Sequence, residues 1–211
     1  MVRTGSGSKH EDLLQKISAH VSGLLEANLP SWAVYHGLNH TLETVEYSKE
    51  IADALQFNEE DLTVLLVAAW FHDVGYIDGA EEHEEKSKQL AREFLIDAGC
   101  TGDFCDRVVS AIQATQVPQR PKDIVEGALC DADVMHLGKK SFFSKSALLR
   151  SEMEGRQKVQ YTDEEWYLYN ISFVAGHSFH TTYARKALGE QHAENLLALQ
   201  TRLQQAARKA H

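Results

Sequence analysis

Apolar residues recur every three or four positions along most of this chain, which is the spacing of amphipathic α-helices. The first such stripe runs from Leu13 to Leu25 and stops before Pro30. Further helical patterns cover residues 38–56, 59–73, 81–98, 102–116 and 122–133. No segment alternates with the period of two that marks a β-strand. The pattern therefore predicts an all-α protein with about eight helices.

The helical pattern continues beyond Gly138 and predicts a helical extension over residues 141–211. Within it, Thr162 is followed three residues later by Glu165, which is the signature of a capping box at the start of a helix. A long helix is expected from there to about residue 188, where Gly189 should break it. A last helix, rich in Leu, Ala and Gln, is expected to follow that glycine.

The charge balance limits the classes of partner. Among 211 residues the chain has 21 Lys and Arg against 31 Asp and Glu, a net charge of −10. Duplex nucleic acid and anionic membrane surfaces require a basic face, so the composition argues against both as partners. A small phosphorylated ligand stays compatible with it, because a metal ion and a few local cations can bind phosphate inside an acidic protein.

Cysteine usage and the N-terminal sequence indicate a cytoplasmic protein. The three cysteines are an odd number and form no Cys-x-x-Cys pair, which argues against a disulfide scaffold and fits a reducing compartment. The first ten residues have no apolar core of the kind found in signal peptides. The longest apolar run is about half of what a bilayer span needs.

The candidate chemistry begins where a long apolar run, LTVLLVAAWF, ends at His72 and Asp73. Leu62, Leu65 and Ala69 mark the buried face of this predicted helix. The same stripe continues onto His72 and Asp73, so both side chains are expected to point inward. A lone pair of this kind most often serves a structural hydrogen bond and a salt bridge, because burial is costly unless each partner is satisfied.

Three further polar sites lie at predicted helix ends. His36 and His40 stand four residues apart in YHGLNH, Asp131 and Asp133 end an apolar helix, and His83 lies in an acidic run. One histidine and one aspartate from these sites, together with the His-Asp pair, can meet at one divalent cation. Two imidazoles and two carboxylates suit Mn, Fe, Co, Ni or Zn better than Mg.

The order of these residues resembles a known family. His40, then His72 and Asp73, then Asp133 is similar to the H…HD…D signature of the HD-domain metal-dependent phosphohydrolases. The resemblance covers residues 35–138. It implies an all-α, HD-domain-like helical bundle that binds one divalent metal ion through these four side chains.

The same resemblance implies a domain organisation. Residues 9–140 are expected to form the HD-type metal-binding core. Residues 141–211 are expected to pack on it as a C-terminal helical extension, so that the chain is a single domain overall. The Gly/Ser-rich residues 1–8 are expected to be flexible.

The fourth ligand requires a choice between two aspartates. Asp131 and Asp133 point about 200° apart around a helix, so both cannot face one ion. The family pattern favours Asp133. The next residue is Val134, where relatives often carry a cation that faces the phosphate. Three basic residues could replace that cation, although each is as well explained as a solvated surface charge: Lys139, Lys140 and Arg150.

The chain departs from the family pattern a second time, at a position that bears on a second metal ion. Ala114 stands where two-metal relatives carry a further histidine, which argues against a second tightly bound ion. His83 then either lines the substrate entrance or is a surface histidine. His177 and Thr181 lie on a stripe of the extension that turns polar after Gly176, so they either line the substrate pocket or belong to the core.

The resemblance implies hydrolysis of a phosphomonoester or phosphodiester in a small, nucleotide-like molecule. Asp73 is expected to bind the metal and to orient the attacking water. His36 is expected either to protonate the leaving oxygen or to fix its loop by a hydrogen bond. Two alternatives remain: a non-catalytic module that senses a nucleotide through the metal, and a di-iron oxygenase of the same superfamily. A homodimer is left open.

Overall fold

The computed structural model describes residues 7–209 and consists of helices joined by short connections. Over those residues there is no β-strand, which confirms the all-α prediction. No helix among them has the length and apolar character needed to cross a membrane. Their α-helices are α1 (Gly7–Asn28), α2 (Leu38–Ala54), α3 (Glu59–Phe71), α4 (His83–Asp97), α5 (Gly102–Ala114), α6 (Ile124–Asp133), α7 (Phe142–Gln157), α8 (Asp163–Gly176) and α9 (Thr182–Lys209).

The chain divides into two compact units. Within the described residues, the first contains residues 7–30 together with His36–Asp133, and the second contains Ser31–Tyr35 and residues 134–209. The single-domain arrangement and the packing of the extension on the core stay predictions. The predicted flexible segment, residues 1–8, lies outside the described residues except for its last two, which begin α1.

Helix α3 is the centre of the first unit. It is apolar on all sides and every residue from Thr63 to Phe71 is buried, as expected for a helix surrounded by others. It contacts α1, α2, α4, α5 and α6. Its N-terminus is capped by Asn58, whose side chain accepts the N–H of Asp61 at 2.9 Å. The burial of α3 places the residues that follow Phe71 inside the unit.

The chain turns sharply after α3 because Gly75 permits a close approach. Residues Val74–Asp78 form a short 3-10 helix that packs on the start of α4. A Cβ atom on Gly75 would lie 2.0 Å from the carbonyl oxygen of His83, a distance that no side chain tolerates. The N–H of Gly75 donates to Ser87 Oγ at 2.9 Å. This contact fixes the position of His83 relative to the end of α3.

In the second unit, the predicted boundary between the last two helices is wrong. The capping box of Thr162 and Glu165 is present and opens α8. That helix ends at Gly176, however, and Gly189 lies inside α9 rather than between two helices. The reason is local: the side chain of Thr181 accepts the N–H of Ala184 at 3.0 Å and so starts a new helix. A helical glycine costs only about 1 kcal/mol, which a long helix tolerates.

We predict opposite effects for the same substitution at two glycines. Gly75→Ala should lower the free energy of unfolding by at least about 1–3 kcal/mol, because the new Cβ meets backbone that cannot move aside. Gly189→Ala should raise it by about 0.5–1 kcal/mol, because the surrounding space is open and alanine favours helix. Urea titration followed by circular dichroism measures both. Equal stabilities for the two variants would contradict the packing of the 3-10 helix on α4.

Candidate metal centre

Four side chains from three helices of the first unit meet at one place. His40 comes from the first turn of α2, His72 and Asp73 follow α3, and Asp133 is the last residue of α6. One donor atom of each lies within 4.8 Å of the donor atoms of the other three. The structure therefore brings together the four residues that the sequence proposed as ligands, and their role as ligands stays a prediction.

The donor atoms have the spacing that ligands adopt around an ion. His40 Nε2 lies 3.3 Å from His72 Nε2 and 3.1 Å from Asp133 Oδ1. Asp73 Oδ2 lies 3.1 Å from His72 Nε2 and 3.3 Å from His40 Nε2. Two ligands that each lie about 2.1 Å from one ion are about 3.0–3.4 Å apart at octahedral or tetrahedral angles.

The orientation of His72 and Asp73 also fits a metal. His72 Nδ1 donates to the carbonyl oxygen of Ala69 at 2.8 Å, so in the neutral ring Nε2 carries the lone pair. This is the usual support of a metal-binding imidazole. Asp73 Oδ2 is buried and has no hydrogen-bond partner. Such an atom requires an explanation in a native structure, and a cation bound beside it provides one.

The charges of the cluster depend on one another. Burial alone lowers the pKa of His72, but the carboxylates of Asp73 and Asp133 outweigh it and raise that pKa well above its ordinary value. Burial raises the pKa of Asp73, yet His72, His40 and His83 outweigh it and hold that pKa well below its usual range. The carboxylate is therefore ionised at neutral pH. Binding of a divalent cation would displace the protons of the imidazoles.

His83, the first residue of α4, lies beside this cluster. Its Nε2 is 3.4 Å from Asp73 Oδ1 and 3.5 Å from Glu84 Oε1, while its Nδ1 donates to the carbonyl of Ala80 at 3.1 Å. Burial lowers the pKa of His83, but the hydrogen bond to Asp73 raises it overall. Asp73 thus presents one oxygen to the donor cluster and the other to His83.

His36 and Tyr76 form an aromatic wall next to the cluster. The ring of His36 is stacked on Tyr76 with 4.2 Å between centroids and an interplanar angle of 11°. The Tyr76 ring lies 4.3 Å from His83, and the His36 ring lies 5.7 Å from His40. Sequence reasoning gave Tyr76 no role. The available signal was its position three residues after Asp73, since residues three apart share one side of a 3-10 helix.

Two other core residues that the sequence analysis singled out, Asp131 and Ala114, lie outside the cluster. Asp131 is completely buried but is not among the four clustered residues, so Asp133 is the aspartate that reaches them. Ala114 is buried, and its carbonyl accepts the thiol of Cys130 at 3.1 Å. Whether the protein binds a second ion stays a prediction.

The five other substrate-binding candidates belong to the second unit, and their contact with substrate stays a prediction; they are Lys139, Lys140, Arg150, His177 and Thr181. Arg150 donates to Glu154 at 2.9 Å, to Asp163 at 2.7 Å and to the carbonyl of Tyr161. Its guanidinium is thus already used inside the second unit. Thr181 caps α9, as described above.

Comparisons with known proteins relate the chain to one family. The family model of the HD domain matches residues 37–138, which include all four clustered residues. The chain is similar to a crystal structure described as a predicted HD superfamily hydrolase from an uncultured Thermotogales bacterium. The two chains are 18% identical and align with a TM-score of 0.60. The aligned region covers 89% of this chain and 91% of the other chain.

A second solved structure, a structural genomics target from Lactobacillus plantarum, has 17% identity and a TM-score of 0.68. The aligned region covers 95% of this chain and 99% of the chain in that structure. At such identities both structures show a shared fold. A search of curated proteins finds no match.

We predict that the protein binds about one Mn²⁺ per chain, because carboxylate donors suit this ion. His72→Ala, Asp73→Asn and Asp133→Asn should each lose most of it. Asp131→Asn is the matched control, since it makes the same change on the same helix outside the cluster. Equilibrium dialysis with elemental analysis measures the bound metal. Loss in Asp131→Asn together with retention in Asp133→Asn would reverse the ligand assignment.

Proposed function

Because residues 37–138 form an HD domain, we propose that this protein is a metal-dependent hydrolase of phosphate esters. The substrate we propose is a phosphomonoester or phosphodiester of a small, nucleotide-like molecule. One observation carries the proposal: the buried Oδ2 of Asp73 has no hydrogen bond and lies within 3.3 Å of two imidazole nitrogens. This arrangement suits a divalent cation, and the resemblance to phosphohydrolases supports phosphate ester chemistry at it.

His40, His72, Asp73 and Asp133 would hold the ion. When bound there, a divalent metal supplies Lewis-acid chemistry, which polarises a phosphoryl oxygen and lowers the pKa of a coordinated water. The mixed nitrogen and oxygen donors favour Mn, Fe, Co, Ni or Zn over Mg. The Asp133 side chain is 20% exposed, whereas those of His40, His72 and Asp73 are buried.

Asp73 has two tasks in this proposal. Its Oδ2 atom faces the ligand nitrogens, while its Oδ1 atom faces His83 at 3.4 Å. A water near Oδ1 can therefore donate a hydrogen bond to the carboxylate and keep its lone pair directed at phosphorus. His83 Nε2 lies on the same side and can donate to a phosphate oxygen in place of Asp73 Oδ1 once the water occupies that carboxylate oxygen. It offers the donor that Val134 cannot provide.

His36 is placed to act as the general acid. It is not one of the four clustered residues, and its ring is held flat against Tyr76 at 4.2 Å. The neighbouring ring of His40, 5.7 Å away, belongs to the cluster. An imidazole at this distance can reach the leaving oxygen of a bound ester and protonate it.

We predict that chelation abolishes hydrolysis of phosphate esters and that Mn²⁺, Co²⁺ or Ni²⁺ restores it at least as well as Mg²⁺. A panel of aryl phosphates, bis-aryl phosphates and nucleotides measures this. Hydrolysis that continues in a strong chelator would contradict the proposal. Tight nucleotide binding without turnover in any metal would favour a sensor, and oxygen uptake with two irons per chain would favour an oxygenase.

We predict that His36→Ala keeps its metal and its melting temperature but loses rate according to the leaving group. An alkyl or nucleoside phosphate needs protonation of its leaving oxygen, so its hydrolysis should slow by about 10²–10⁴-fold. Hydrolysis of nitrophenyl phosphate, whose leaving group needs no acid, should change little.

Tyr76→Phe is the matched control for His36→Ala, because it preserves the stacked ring and should keep both rates. An equal loss on both substrates in His36→Ala, or early melting with loss of metal, would show that His36 is structural or a ligand.

A further inference from the structure

The ring of Tyr76 contacts both imidazoles that the proposed reaction uses outside the donor cluster. Measured between ring centroids, Tyr76 lies 4.2 Å from His36 and 4.3 Å from His83, whereas the two imidazoles are 6.4 Å apart. Each imidazole is therefore closer to the tyrosine ring than to the other imidazole. The hydrolysis proposed above gives a task to each of the two histidines and none to the tyrosine.

The stack restricts the orientation of His36. Its ring is nearly parallel to that of Tyr76, with an interplanar angle of 11°. His36 is partly exposed, whereas Tyr76 is buried, with 6% of its surface exposed. An imidazole that lies flat against a buried ring cannot turn about its ring torsion without breaking that contact. The tyrosine thus limits the directions in which the ring nitrogens of His36 can point.

The backbone connects Tyr76 to a candidate metal ligand. Tyr76 belongs to the 3-10 helix Val74–Asp78, and its N–H donates to the carbonyl of Asp73 at 3.0 Å. Its own carbonyl accepts the N–H of Gly79 at 3.1 Å. The turn that brings the carboxylate of Asp73 to the donor cluster therefore also determines where the tyrosine ring lies.

His83 reaches the same ring from a different segment of the chain. It begins α4, and its Nδ1 donates to the carbonyl of Ala80 at 3.1 Å. Its ring is tilted by 44° to that of Tyr76. The close approach of Gly75 to the carbonyl of His83 fixes the start of α4 against the 3-10 helix. One tyrosine ring thus contacts an imidazole that precedes α2 and another that begins α4.

We propose that Tyr76 is a positioning residue, whose ring keeps the imidazoles of His36 and His83 aligned with the donor cluster. This inference rests on the proposed function, because it concerns the two histidines that act there. Alignment matters, since misplacing a reacting group by about 1 Å can lower a rate about 100-fold. The aromatic ring makes both contacts, so the ring rather than the hydroxyl is the part that the proposal requires.

Tyr76→Leu should change kcat and KM in different ways, measured with Mn²⁺. For an alkyl or nucleoside phosphate, kcat should fall about 10–100-fold, because His36 is no longer held near the leaving oxygen. For nitrophenyl phosphate, whose leaving group needs no acid, kcat should change little. KM should rise for both substrates, because His83 binds the phosphoryl group of each. Tyr76→Met replaces Tyr76→Leu if the latter melts early.

Tyr76→Phe, which preserves the stacked ring, should restore the unaltered values. Losses as large in Tyr76→Phe as in Tyr76→Leu would assign the effect to the hydroxyl and overturn the proposal. A double-mutant cycle adds a second criterion. Tyr76→Leu should lower kcat for the alkyl phosphate no further once His36→Ala is present. Two losses that multiply would show a role independent of His36 and would also overturn the proposal.

Nuclear magnetic resonance tests the stack without any substrate. In the Zn²⁺-loaded full chain, the ring protons of His36, identified by their absence in His36→Gln, should be shifted upfield by the tyrosine ring stacked on them. Tyr76→Leu should remove this shift and Tyr76→Phe should keep it. His36 protons at their ordinary position in a protein that hydrolyses phosphate esters would overturn the positioning role alone. An upfield shift in a protein without hydrolysis in any metal would instead contradict the proposed function, and the positioning role with it.

Discussion

The site in the first unit depends on keeping the carboxylate of Asp73 charged while it is buried. Burial opposes that charge, and the imidazoles of His40, His72 and His83 supply the compensation. Removing one member leaves the others as uncompensated buried charges, which is far more costly than losing a surface ion pair. This mutual dependence explains why four helices, α2, α3, α4 and α6, each contribute a side chain at one place.

The packing of α3 makes that burial unavoidable. A helix that is apolar on every side can only lie among other helices, so its C-terminal residues emerge inside the unit rather than in solvent. The 3-10 turn after Asp73 and the close approach at Gly75 then bring α4 and His83 to the same place. The candidate ligands are thus positioned by a buried helix at the centre of the unit, which favours a preorganised site.

The sequence predicted the elements whose signals are local and left the others uncertain. The periodic stripes gave α2 to α6 closely, and the 200° separation of Asp131 and Asp133 around a helix correctly implied that one of them lies away from the cluster. The break between α8 and α9 was missed because Gly189 is a stronger sequence signal than the cap at Thr181. The stacking of His36 on Tyr76 joins residues forty positions apart, and no local pattern reports such a contact.

The most direct test of the account is the position of the metal itself. A crystal of the full chain grown with Mn²⁺, with anomalous data collected at the manganese edge, shows where the ion binds. The account predicts a peak about 2.0–2.3 Å from His40 Nε2, His72 Nε2, Asp73 Oδ2 and Asp133 Oδ1. A peak at another place in the first unit, or an ion that contacts Asp131 instead of Asp133, would contradict it.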